Sequence, residues 1–200
     1  MPSDTAEFAR EWDAEVLDRP PLIAPARQFV YPRQIAGEED ALARGALLLG
    51  VRPAAGGEFL ATCARGFADP RMPTGVLPCP DPRELCALAG GYAYLIDTTA
   101  PERSTHLPLR PVVEVIAHAD PALLIFVGFQ ALAAWGADGL AWQSGRLSYE
   151  GIRVMKTERA ELHGLGWDMH TDREIPFTVD LRTGRHIGSP FPPDHSASTA

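Results

Sequence analysis

The sequence predicts an all-β fold: an antiparallel, internally duplicated β-meander preceded by a short N-terminal helix. Three observations carry that expectation. Glycine (18) and proline (19) are abundant for a chain of 200 residues, which punishes long helices and favours short strands joined by tight turns. Runs of roughly four to seven apolar, often β-branched residues recur between Gly-, Asp- and Pro-containing breaks. The chain also matches itself at an offset of about 80 residues, as a tandem repeat does.

From the N-terminus, Thr5 to Asp18 reads as the helix. Phe8, Trp12 and Val16 fall on one helical face, Asp4 is placed to cap it, and Pro20-Pro21 stops it. Glu38 to Arg44 is long enough for a further helical turn or two. The self-match begins with Ala46–Val51 and Glu58–Cys63 beside Leu123–Phe129 and Gly139–Gln143, which pairs Leu60-Ala61 with Leu140-Ala141. It continues with Arg83–Gly90 beside Ala160–Trp167, and with Ala93–Thr98 beside Pro176–Leu181. Gly56-Gly57, Gly90-Gly91 and Gly136–Gly139 read as hairpin turns, because glycine takes positive φ without steric cost. The expected layout is an arm (1–28), one all-β domain of two related halves (29–110 and 111–188) and a flexible Pro/Ser-rich tail (189–200).

Two closures suit such a chain. Asp97–Glu102, Trp135–Gly139 and Asp180–Arg185 recur at about the length of a four-stranded blade. Ala133–Trp142 and Val179–Arg185 resemble the strand-turn punctuation of tryptophan-docking β-propeller blades, a resemblance that covers barely a tenth of the chain. The alternative is a β-sandwich or barrel in which the two halves pack about a pseudo-twofold axis.

Charge and composition exclude several functions. With 26 acidic against 18 basic residues, the net charge is −8, so no basic surface for nucleic acid is expected. The first residues lack a basic n-region and an apolar h-region, so no secretion signal is expected. The uncharged run from Ala122 to Ala137 falls short of the ~20 apolar residues of a membrane helix. Cys63, Cys79 and Cys86 are odd in number and form no CxxC, which favours buried free thiols in a reducing cytoplasm; a Cys79–Cys86 bridge is the other possibility. Phosphate-cradling glycine motifs are absent, and neither Ser144 nor Ser148 sits in a GxSxG elbow.

The two halves differ most where the first makes its Gly90-Gly91 turn. There the second is six residues longer and reads Trp167-Asp-Met-His-Thr-Asp-Arg-Glu-Ile175. On an extended strand, Asp168, His170, Asp172 and Glu174 would share one face, with His163 shortly before them and His186 after. Histidine nitrogen and carboxylate oxygen together suit zinc, manganese or iron, and crowded carboxylates raise one another's pKa. The candidate catalytic residues are therefore His170, Asp168, Asp172 and Glu174, and the candidate metal ligands His163, Asp168, His170 and Asp172. The competing reading is a solvated hairpin whose charges serve the turn.

Weaker candidates are a groove lined by Trp135, Trp142, Tyr149 and Trp167, a thiol nucleophile at Cys63 or Cys86, and an anion-binding edge of Arg65, Arg71, Arg83, Arg103 and Arg110. Interleaved Asp69, Asp81 and Glu84 would neutralise that edge.

No complete catalytic set is assembled, so we expect a non-enzymatic binding or scaffold module of the cytoplasm. It would need no cofactor and would engage a protein or small-molecule partner of unidentified kind. It would be a monomer, or a homodimer through the Phe8/Trp12/Val16 stripe. The alternative is a small metal-assisted hydrolase that uses a divalent cation at residues 163–174.

Overall fold

The computed structural model describes residues 7–32, 43–189 and 191. They form an all-β structure of four four-stranded sheets. The first holds β1 (Trp12–Leu17), β2 (Gln28–Tyr31), β3 (Ala46–Pro53) and β4 (Phe59–Ala64), in the order β1-β3-β4-β2. The second holds β5 (Gly75–Pro78), β6 (Glu84–Ala89), β7 (Tyr92–Asp97) and β8 (Ser104–His106) in sequence order. The third holds β9 (Val112–His118), β10 (Leu123–Gly128), β11 (Leu132–Gly136) and β12 (Gly139–Gln143), and the fourth β13 (Ile152–Glu158), β14 (Glu161–Asp168), β15 (Arg173–Asp180) and β16 (His186–Ile187). The last three sheets are simple meanders. In the first, β2 runs parallel to β4 while the β1–β3 and β3–β4 pairs are antiparallel.

The N-terminal helix is a correction. Trp12–Leu17 is strand β1, paired with β3 from Trp12↔Pro53 to Leu17↔Leu48. The spacing of four between Phe8, Trp12 and Val16 is also a multiple of two, so the stripe fits a strand as well as a helix. The edge of β3, whose backbone groups need partners, decides in favour of the strand. Thr5 and Ala6 lie outside the described residues, as do most of the expected turn at Glu38–Arg44 and the tail apart from Ser189 and Phe191. No helix among the described residues is long and apolar enough to cross a membrane.

The chain forms two compact units, one spanning Phe8–Val112 and one formed mainly by the chain from Val113. In the first unit a core gathers Leu47, Leu49 and Val51 of β3, Phe59, Ala61 and Cys63 of β4, Leu85, Ala87 and Ala89 of β6, and Tyr94 and Ile96 of β7. Alternate residues of each strand supply it, as the two-residue period requires. In the second unit Leu123, Ile125 and Val127, Leu132 and Ala134, Leu162, Phe177 and Val179 do the same. Each fully buried large side chain contributes about 1.5–3 kcal/mol. Both faces of β6 and β10 are buried, which accounts for their unbroken apolar sequences.

The duplication is clearest between the second and fourth sheets. The carboxylate of Asp97, at the end of β7, accepts from the Thr99 and Ala100 amides and the Thr99 hydroxyl. That of Asp180, at the end of β15, accepts from the Arg182 and Thr183 amides and the Thr183 hydroxyl. In both sheets the next residue then donates back to the residue before the second strand, Thr98 to Arg83 at 2.9 Å and Leu181 to Ala160 at 2.8 Å. The pairing of Leu60-Ala61 with Leu140-Ala141 does not hold. Leu60 is 6% exposed on an inner strand, whereas Leu140 is 48% exposed on an edge strand.

Candidate functional site: the β14–β15 hairpin

The extra residues of the second half lengthen one hairpin. β14 and β15 are eight residues each where β6 and β7 are six. The turn grows from Gly90-Gly91 to Met169–Asp172, bracketed by the pair Asp168↔Arg173. This turn breaks the extended run on which the single-face expectation rested, and the five candidate residues part company.

Asp168 is buried and caps the turn. Its carboxylate accepts from the Thr171 hydroxyl at 2.7 Å and from the His170 amide at 3.2 Å. The Thr171 hydrogen bond, helped by the amide, holds its carboxyl below the usual carboxylate range although burial opposes this. Asp172 adopts a left-handed conformation (φ 51°), which Asp tolerates better than most residues. It accepts from the Trp167 indole N–H at 3.2 Å. Glu174 pairs with Arg153 on the neighbouring strand β13. His163 shares a hydrogen bond with Thr178 at 3.0 Å and lies 3.4 Å from Glu161. His186 is buried on β16, and its Nε2 has no hydrogen-bond partner among the described residues. No group of three or more His, Cys, Asp or Glu side chains suited to a metal ion occurs among the described residues.

The His170 amide stays on Asp168, but its ring makes its hydrogen bond elsewhere. Its Nε2 lies 2.8 Å from the Tyr149 hydroxyl, and the two rings meet edge to face with centroids 5.3 Å apart. Phe191 also packs on Tyr149, with centroids 4.6 Å apart. The Arg146 guanidinium covers both rings at 5.5 and 5.3 Å, within cation–π range. Gln130 ties the patch down, accepting from Arg146 at 2.7 Å and donating to the Tyr149 carbonyl at 3.1 Å. Met169 stands exposed beside it. Sequence reading noted Tyr149 but missed Arg146, Gln130 and Phe191, because residues spread from 130 to 191 meet only through the fold.

The other candidates serve the framework. Trp135 and Trp142 are buried. Arg71, Arg83 and Arg103 pair with Asp69, Asp81 and Asp97, and such exposed pairs contribute about 0–1 kcal/mol each. Cys63, Cys79 and Cys86 are free and buried, and burial pushes all three thiols well up, away from the reactive thiolate. Compared with protein-family models, with curated proteins and with solved structures, the chain matches none.

Proposed function

We propose that this protein is a non-enzymatic, cytoplasmic binding module, propeller-like in its repeated four-stranded sheets. On this reading the patch of Arg146, Tyr149, His170 and Phe191 is its contact surface. One observation carries it: the carboxylates Asp168, Asp172 and Glu174 of the β14–β15 hairpin and His163 are engaged by the fold, whereas Arg146 and His170 beside them are exposed and Tyr149 and Phe191 are partly so. Asp168 caps a turn, Asp172 holds an indole, Glu174 holds Arg153 and His163 meets Thr178. Aromatic side chains with arginine are the residues that most often dominate binding surfaces. The buried, unbridged thiols support a reducing compartment.

The test sets this against a metal-assisted hydrolase at the same hairpin. We expect purified protein to carry well under one equivalent of zinc or manganese by elemental analysis. Adding either ion should leave the melting temperature unchanged, and His170→Ala should alter neither result. Stoichiometric metal that His170→Ala removes would overturn the proposal in favour of the hydrolase.

A further inference from the structure

At the opposite end of β14 and β15 from that patch, three turns of the second unit surround a cleft of about 340 Å³. They are the β9–β10 turn with His118 and Asp120, the β13–β14 turn with Arg159, and the turn after β15 with Arg182. Thr157 also lines it. We propose that this cleft binds the phosphate group of a small organic phosphate, with Arg159 and Arg182 as its cationic ligands.

The charge is unusual for so acidic a chain. Arg159 closes no ion pair among the described residues, although its charge reaches the neighbouring Glu158. Among the described residues, Arg182 closes an ion pair with Asp120 alone, at 4.0 Å, and both side chains are largely exposed. The lining of the cleft thus carries two guanidinium residues and one carboxylate, with Glu158 outside it, and a guanidinium fork matches the oxygens of a phosphate. The volume falls in the range of small-molecule sites.

The turns are held in place before any ligand arrives. His118 Nε2 lies 3.0 Å from the Asp120 carbonyl and 2.7 Å from the Arg159 carbonyl. Both partners are acceptors, so Nε2 carries the proton and donates. The Leu181 amide donates to Ala160 at 2.8 Å, and the Asp180 carboxylate holds the Arg182 amide at 2.9 Å. Such preorganisation lowers the entropy cost of binding.

Arg159 also occupies a position that does not suit it. It is the first central residue of a two-residue turn closed by Glu158↔Glu161, at φ 54°. Glycine takes that conformation without penalty. A long cationic side chain in that conformation, on the lining of the cleft, points to a use for the guanidinium.

The experiment titrates the full chain with phenyl phosphate, inorganic phosphate and benzoate, following backbone and arginine side-chain NMR signals. Phenyl phosphate should shift the signals of residues 118–120, 157–160 and 182. Arg159→Gly and Arg182→Ala should each weaken it by about tenfold or more, while Asp120→Asn should strengthen it severalfold. Arg159→Gly should melt no lower than the parent, which separates loss of the ligand group from loss of the fold. The proposal is overturned by no shifts at the cleft, by either arginine variant binding as tightly as the parent, or by benzoate binding as tightly as phenyl phosphate.

Discussion

The indole N–H of Trp142, on edge strand β12, donates to the carbonyl oxygen of Leu181 at 2.7 Å. The bond joins the third sheet to the turn after β15 in the fourth. In the first unit Trp12 of β1 does the same for the Glu84 carbonyl at the start of β6, at 3.0 Å. In both cases a buried indole ties an edge strand of one sheet to its neighbouring sheet. Trp142→Phe keeps an aromatic ring but strands a buried acceptor and leaves a small void. We expect a loss of about 2–4 kcal/mol, read as a lower urea midpoint with an unchanged slope.

Two glycines on strands make a sharper contrast. A Cβ on Gly166 of β14 would lie 2.0 Å from the Leu147 carbonyl oxygen, which is backbone and cannot turn aside. A Cβ on Gly50 of β3 would meet only a Leu17 methyl at 3.8 Å, an ordinary contact. Gly166→Ala should therefore cost about 3 kcal/mol or more. Gly50→Ala should be neutral or stabilising by up to about 1 kcal/mol, since alanine loses less backbone entropy on folding. Thermal melts of the two variants check the pair.

His106 of β8 stacks on Tyr94 with centroids 4.6 Å apart, and its Nε2 has no hydrogen-bond partner among the described residues. Burial, with Arg110 adding to it, lowers its pKa to about 4. In the unfolded chain a histidine titrates near 6.5. Between those values the unfolded state takes up a proton that the folded state refuses, so stability falls as pH drops through that window. His106→Phe keeps the stacking and removes the titration. The melting temperature of the parent should fall more steeply from pH 7 to pH 4 than that of the variant; parallel curves would sink this account.

Asp168 loses stability in the same direction, as pH falls, but in a lower range. Its folded carboxyl lies below the unfolded value near 3.9. Its stabilisation is therefore complete above that value and is lost as pH falls through the lower, folded one. Asp168→Ala should melt below the parent at neutral pH, and the gap should close in strong acid. A gap that persists once the Asp168 carboxyl is protonated in the folded and unfolded states alike would mean that the turn depends on Asp168 for something other than its charge.

Repeats and turn chemistry were legible because they are local. The Asp97 and Asp180 turns announce themselves by short motifs, and the long hairpin stood out by comparison with its counterpart. The character of β1 was not legible, since spacings of four satisfy both periods and the deciding partner, β3, begins at Ala46. The dispersal of Asp168, His170, Asp172 and Glu174 was hidden for a related reason. Alternation places residues on one face only while the strand stays extended, and the turn at residues 169–172 intervenes. The arginine cleft was invisible because His118, Arg159 and Arg182 sit in three ordinary-looking turns that only the sheet packing brings together.

The order of strands in the first sheet bears on how the chain acquires its structure during synthesis. β1 and β2 are made first, yet they do not pair with each other: each flanks the β3–β4 hairpin, which follows them in the chain. The hairpin is thus the seed, and the two earlier segments must wait on the ribosome for its edges before their backbone groups find partners. The other three sheets impose no such delay, since each strand there pairs with the one made just before it.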